Sequence, residues 1–300
     1  MTTRPIYPGG KRYFTYDQYL KQTFGGKVAR VTLDAGFTCP NIDGTRGVGG
    51  CAFCSGRGSG DFCAPSFLSI PDQFARGREM MRRKWPAEMF IAYFQAHSNT
   101  YAPLNVLKQH YETALVQKGV VGLSISTRPD VLADDVVEYL HELDTRTHLT
   151  VELGLQTVHD ATAAAMNRCH TYAEFCEGYE KLRGLRVGVH IINGLPGESR
   201  DMMLETARHV AVLRPHMVKI HLLHVLRDTP LAEMYAKGEF ATLELEEYVG
   251  IVCDQLEILP AETVIGRLTG DGAPDQLIAP NWSLKKFVVM NEIDKEMRRR

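Results

Sequence analysis

The chemistry open to this chain starts with its sulfurs. Of seven cysteines, Cys39, Cys51, Cys54 and Cys63 crowd into one stretch, while Cys169, Cys176 and Cys253 are scattered. Cys51 and Cys54 form a CxxC pair, and Cys39 lies twelve positions before Cys51. The glycines that punctuate this stretch let the backbone curl around a bulky object and turn its N–H groups inward. Three thiolates so placed suit several chemistries. Zinc would recruit a fourth ligand, for which Cys63 is at hand. A thioredoxin-like CxxC needs only its own two cysteines. A [4Fe–4S] cluster takes thiolates and tolerates one iron without a protein ligand, open to a small molecule. Phe53 would shield such a centre from water or simply fill core. An odd cysteine count in a long chain argues against a disulfide framework.

A second set of residues sits where later strands end. In 218–223, Lys219, His221 and Leu223 share one face, and Val218, Ile220 and Leu222 the other. A Lys and a His facing the inside of a barrel are unusual unless they bind something. Arg267 and Asp271 follow the last strand, where barrel enzymes keep reactive groups. Lys219, His221, Arg267 and Asp271 are therefore the candidate catalytic residues, with a satisfied ion pair as the structural alternative.

These groups must be positioned by alternating strands and helices. Short apolar runs mark strands at Ala29–Asp34, Met89–Phe94, Val120–Ser126, His148–Leu155, Arg186–Ile192, Val218–Leu223 and Thr263–Leu268. Runs of this kind suit parallel strands covered by helices. Helical faces lie between them: one after a cap at Asn105, one capped by Ser199, one from Leu245 to Leu259, and one opening at Pro71 and running to Trp85. Repeated βα units imply a parallel sheet, here a partial or full (β/α) barrel. The expected partition is an N-terminal extension at 1–28, a core at 29–280 and a C-terminal helix at 281–300.

Composition sets outer limits. The 300 residues are 44% hydrophobic and 23% charged, which excludes disordered, collagen-like and coiled-coil chains. Thirty-four Lys and Arg against 36 Asp and Glu leave no general basic excess, so any nucleic-acid contact must be local. Arg76, Arg78, Arg82, Arg83 and Lys84, and the terminal Arg298–Arg300, are such local patches, solvated by default. No stretch approaches the ~18 apolar residues of a membrane span. The first thirty residues lack the apolar core of a secretory leader. The expectation is a cytoplasmic protein without a membrane.

With these residues in view, the chain resembles the radical S-adenosylmethionine (SAM) superfamily. The usual signature there is CxxxCxxC after the first barrel strand; here the first gap widens to the eleven residues between Cys39 and Cys51. A widened gap with Gly49-Gly50-Cys51-Ala52-Phe53-Cys54 is similar to the bacterial YhcC/YtqA-like branch. That branch resembles the radical-SAM domain of the elongator catalytic subunit, which modifies wobble uridine in tRNA. The likeness spans roughly residues 10–290. Ser126-Thr127-Arg128-Pro129-Asp130 resembles the TRPD element. Glu152-Leu153-Gly154-Leu155-Gln156 resembles the ELGxQ strand, shared with oxygen-independent coproporphyrinogen oxidases. Asn167-Arg168-Cys169-His170 is similar to NRGH, with Cys169 in place of glycine. Gly194-Leu195-Pro196-Gly197 is similar to GLPG.

The resemblance implies that Cys39, Cys51 and Cys54 hold three irons of a [4Fe–4S] cluster whose fourth iron chelates SAM. Reductive cleavage would give methionine and a 5′-deoxyadenosyl radical that takes hydrogen from substrate. Glu152 and Gln156 share a strand face across Gly154, leaving room for SAM. Arg168 would clasp the SAM carboxylate with its planar fork. Gly194 would let backbone approach the adenine, and His190 would face the cofactor. The Gly-Gly-Glu that usually holds the SAM amine is absent after Phe94, so Gln95, Ser98, Asn99 and Thr100 are the implied substitutes. Cys63 is not needed. Reduced flavodoxin or a ferredoxin is the implied electron donor, and tRNA the implied substrate, at the C5 side chain of wobble uridine. Two alternatives stand beside it: a radical SAM enzyme for a small molecule, as in the porphyrin branch, and a non-enzymatic zinc protein using Cys39, Cys51, Cys54 and Cys63.

Overall fold

The strands are apolar on one side and polar on the other, and that asymmetry sets the architecture. In the computed structural model, which describes residues 5–300, they are β1 (Phe14–Thr15), β2 (Val28–Leu33), β3 (Met89–Phe94), β4 (Val120–Thr127), β5 (His148–Gln156), β6 (Val187–Asn193), β7 (Met217–Leu222), β8 (Val225–Leu226), β9 (Val264–Arg267) and β10 (Leu277–Ala279). Eight form one curled, wholly parallel sheet in the order β1-β9-β7-β6-β5-β4-β3-β2, and β8 pairs antiparallel with β10. The sheet is a half-barrel: β1 and β2 are its two edges and do not pair with each other.

Helices α1 (Tyr16–Phe24), α2 (Ile70–Lys84), α3 (Leu104–Leu115), α4 (Asp134–Asp144), α5 (Asp160–Ala165), α6 (Tyr172–Lys181), α7 (Arg200–Leu213), α8 (Pro230–Ala236), α9 (Leu245–Ile258) and α10 (Lys286–Arg299) complete the fold. The outward strand residues, such as Leu149, Val151, Leu153 and Leu155 of β5, join the main core beneath the helices. Burying one such side chain contributes about 1.5–3 kcal/mol, which pins each strand's register. The alternate residues, Ser124, Glu152, His190 and Lys219 among them, are thereby forced into the concave lumen. That is how an apolar pattern delivers polar groups to one place.

The seven expected strands are present to within two residues at each end. Within residues 1–28, Phe14–Thr15 add to the edge of the sheet. β1 adds to β9, and α1 follows at once through a capping box between Thr15 and Gln18. Helix α1 packs on both β2 and β9, and Tyr19 lies tilted against His148 and edge-on to His216 at the lower end of the lumen. It thus plugs the base of the gap that the open sheet leaves. Two helix starts also differ from expectation. Helix α3 is capped at Pro103 without a side-chain bond, not at Asn105, and α10 begins at Lys286, after a short 3₁₀ turn at Asn281–Leu284. Ser199 and Ser69 do cap α7 and α2, each side chain accepting an N–H three residues on.

Candidate active site

Cys39, Cys51 and Cys54 all line one cleft of about 810 Å³ at the upper end of the half-barrel. The loop that carries them is clamped from across the sheet. Asn167 donates to the Gly50 carbonyl at 2.7 Å and to that of Val48 at 3.0 Å. Ala52 N–H donates to the Met166 carbonyl at 3.0 Å, and Asn41 donates to the Asn167 carbonyl. Gly49 and Gly50, at φ +78° and +77°, supply the left-handed turn that delivers Cys51 into the cleft. A hydrogen bond from Cys54, then the guanidinium groups of Arg168 and Arg128, bring the Cys51 thiol down to about 5 against the effect of its burial. Cys54, as the donor partner, is pushed well up. Asn41 also points its amide at the Cys51 sulfur, at 3.5 Å. The loop is thus set to stabilise at least one thiolate before any metal arrives.

Among the described residues, Arg168 is the cation of this corner that pairs with no carboxylate. One terminal nitrogen donates to the Gly154 carbonyl at 2.5 Å, and the other lies 3.9 Å from the Cys51 sulfur. Its Nε is buried without a partner. A Cβ on Gly154 would stand 2.8 Å from both Arg168 Nη2 and Gln156 Nε2, so the missing side chain keeps a cradle open. Arg128, 3% exposed, is bidentate to Asp130 at 2.8 Å and supports the turn by donating to the Arg168 carbonyl at 2.9 Å. Three cysteines on one wall, an orphaned guanidinium nitrogen and an open glycine cradle fit an iron–sulfur cluster with a carboxylate-bearing ligand. Among the described residues no three His, Cys, Asp or Glu side chains gather as they would around a single metal ion. Cys63 is buried against Thr32, its thiol raised to about 11 by burial, and does not line the cleft.

The lumen below is organised around one carboxylate. Glu152 is fully buried. Its Oε1 accepts from Ser124 at 2.8 Å and faces Arg30 at 3.6 Å. Its Oε2 accepts from Tyr93 at 2.8 Å, from His190 at 2.7 Å and from Lys219. Burial opposes ionisation, but Lys219, His190 and Arg30 together hold the carboxyl well below its usual range. Two cations already face this one anion, so His190 is neutral and acts as an N–H donor; burial and Lys219 pull it down to about 4. Burial likewise pulls Lys219 down to about 7 against the attraction of Glu152.

Of the residues singled out from sequence, Gln95, Ser98, Gln156, Arg168, His190, His221, Arg267 and Asp271 line the cleft with the three cysteines. Five do not. Glu152 and Lys219 are tied to each other beneath it. Asn99 is a staple, donating to the carbonyls of Ala96 at 3.0 Å and Ser126 at 2.8 Å. Thr100 bonds Thr127 at 2.6 Å and the Val131 carbonyl at 2.7 Å. Gly194, at φ +89°, makes a turn against Leu243 and Leu223. Gln156 reaches the cleft through a bulge. The register against β6 slips between Gly154 and Gln156, and Gln156 sits at φ +73°. Residues that sequence reasoning passed over are Arg30, Tyr93, Asn41 and His224. Arg30 and Thr32 alternate with apolar residues on β2, a signal for a lumen position; Tyr93, in an unbroken apolar run, and Asn41 and His224 carry none.

The chain matches the model of the Radical SAM superfamily over residues 42–210 and that of the Radical_SAM C-terminal domain over residues 215–299. It is 51% identical to the uncharacterized protein YtqA of Bacillus subtilis, over 97% of this chain and 91% of that one. It is 29% identical to the tRNA uridine(34) acetyltransferase of Methanocaldococcus jannaschii, over 50% of this chain but 28% of that enzyme. The fold is similar to that of the archaeal Methanocaldococcus infernus Elp3, with a TM-score of 0.66 and 19% identity, covering 90% of this chain and 63% of that one. Sequence and fold together make the chain a member of the radical SAM superfamily.

Proposed function

We propose that this radical SAM enzyme acts on tRNA, at the C5 side chain of the wobble uridine. The observation that carries the reading is the partial kinship with an enzyme named for uridine 34 of tRNA, in a chain whose cleft of about 810 Å³ has room for an extruded nucleotide beside the three cysteines. The family's cofactors, a [4Fe–4S] cluster and SAM, supply one-electron reduction and hydrogen-atom abstraction when bound.

In this reading Cys39, Cys51 and Cys54 would hold the cluster. Arg168, its plane held by the contact with the Gly154 carbonyl, would offer its unpartnered Nε to the SAM carboxylate. Gln95 and Ser98 would serve the amine from the end of β3, and Gln156 the ribose side from β5. Glu152 acts one layer down. It holds Tyr93, His190 and Lys219 in fixed rotamers and keeps the floor of the cleft rigid, making it a positioning residue. His221, Arg267 and Asp271 face the substrate end. A reduced flavodoxin or ferredoxin delivers the electron.

The test is a comparison of tRNA nucleosides from anaerobically grown cells with and without the gene. The reading expects one wobble-uridine derivative to vanish and its precursor to accumulate. Identical nucleoside profiles would overturn it.

A further inference from the structure

Six Lys and Arg side chains line the cleft, but only two carboxylates do, those of Asp61 and Asp271. Arg128 and Arg168 serve the cysteine end, where both act on Cys51. Lys84 is exposed at the end of α2. The other three, Arg30, Arg267 and Lys286, are half-buried and meet around Glu152 and Asp271 with Lys219. There four cations share two carboxylates. Arg30, at 3.6 Å, and Lys219 share Glu152; Arg267, at 2.8 Å, and Lys286, at 2.7 Å, share Asp271.

The sheet makes this crowding unavoidable. Lys219 and Arg267 are register partners on β7 and β9, so two positive side chains start from adjacent backbone positions and repel. Burial first, then Arg30 and Arg267, draw Lys219 down to about 7 against the pull of Glu152. Glu152 has little left to give, since it also accepts from Tyr93, Ser124 and His190. The Arg30 guanidinium packs on the rings of Tyr16 and Tyr93, 4.9 and 5.3 Å from their centroids, and its Nη1 is buried without a hydrogen-bond partner. A fork held on two rings with a donor to spare is one half of a bidentate contact with an oxyanion. Positive charge in excess at a half-buried site is costly until an anion meets it.

We infer that the end of the cleft walled by Arg30, Arg267 and Lys286 receives an oxyanion carried by the substrate. The inference rests on the tRNA reading, which offers two sources for that group: a backbone phosphate beside the extruded nucleotide, or a carboxylate on the C5 side chain. Either would complete the charge balance that Glu152 and Asp271 leave open. An uncharged group in the same place would leave cations desolvated and unmatched, so the site selects for the anion.

The experiment uses the anaerobically reconstituted holoenzyme with SAM, reductant and anticodon stem-loop RNAs. One pair of loops differs in the linkages flanking the wobble uridine, phosphate against uncharged methylphosphonate. A second pair differs at C5 of that uridine, carboxylate against carboxamide. RNA affinity is read by fluorescence anisotropy, and RNA-dependent 5′-deoxyadenosine formation is read beside it. In wild type one of the two pairs should favour the anion about tenfold or more, and that pair names the source. Arg267→Gln and Lys286→Gln should each cut the preference to about threefold or less, whereas a methylphosphonate placed in the stem should cost wild type and variants alike. Arg267→Lys, which keeps the charge without the fork, should recover part of the preference. Where Arg267→Gln loses the cluster, Lys286→Gln, at a half-buried side chain, carries the test. Equal affinity within both pairs, or a preference that survives these substitutions, overturns the inference and leaves the tRNA reading intact. A wild type that forms no more 5′-deoxyadenosine with any of these loops than without RNA overturns the tRNA reading and this inference with it.

Discussion

Replacing Glu152 by Gln tests the lumen network most severely. The substitution keeps size and shape but removes the one negative charge that faces Lys219 and Arg30 and accepts from Tyr93, His190 and Ser124. Breaking a fully buried pair by neutralising one partner costs about 3–5 kcal/mol, because the other charge stays buried. With a urea slope of about 3 kcal/mol per molar for a chain of this size, the unfolding midpoint should fall by about 1–1.7 M. The cost should depend on pH in a defined sense. Lys219 sits near 7 only because Glu152 partly offsets its burial. Without that carboxylate it deprotonates at a lower pH in the folded state. Below about pH 7 the variant therefore forfeits a proton that the wild type keeps, and the full penalty shows. Above it both lysines are neutral in the fold and the gap narrows. The assay is urea unfolding of wild type and Glu152→Gln at several pH values, followed by circular dichroism. A loss under about 1 kcal/mol, or one that grows with pH, would refute the network's charge assignment.

The remaining predictions concern the site and its acid response. Cys39→Ala, Cys51→Ala and Cys54→Ala should each abolish the brown absorption near 400 nm of the reconstituted protein, whereas Cys63→Ala, whose buried thiol does not line the cleft, should retain it. Gly154→Val should raise the SAM dissociation constant about tenfold or more, ~1.4 kcal/mol, because its Cβ would stand 2.8 Å from Arg168 Nη2; equilibrium dialysis with labelled SAM reads this directly. Burial lowers His190 and His224 to about 4 and His170 to about 3, all beneath the unfolded value near 6.5. The unfolded chain then binds more protons than the native one below that value. Stability is intact above pH 6.5 and should drop as the pH falls toward 4, by up to ~1.4 kcal/mol per pH unit for each histidine. Urea midpoints that are flat between pH 6.5 and 4.5 would contradict it.

How much of this was written legibly in the sequence follows from the range of each interaction. The seven main strands were readable because each must bury an apolar outer face, and that requirement is local. β1 was not: two residues, Phe14 and Thr15, carry no period, and only pairing with Val264 and Ile265 makes them a strand. The cysteine loop was legible from its sulfurs and glycines, but Asn41 and Asn167, which clamp it, meet only in the folded chain. Glu152 was readable as a lumen residue by strand period. Its partners come from four other strands, and nothing in the sequence near Glu152 announces that its oxygens are already taken. The same period placed Gln156 on the cleft side, where it is found, but the bulge and left-handed φ by which it gets there are tertiary and were not legible. Cys169, at φ +57°, occupies a left-handed position that the resembling motif fills with glycine, so there the family pattern carried the backbone information that the residue itself conceals.

Under the proposed function, the hydrogen that is removed comes from the C5 side chain of wobble uridine. Deuterium-labelled tRNA substrate, carrying the label on that side-chain carbon, measures it directly in an anaerobic turnover with SAM and reductant. The account predicts 5′-deoxyadenosine bearing deuterium, in amounts that track substrate consumed. Unlabelled 5′-deoxyadenosine from the same reaction, with the labelled tRNA unchanged, would contradict it.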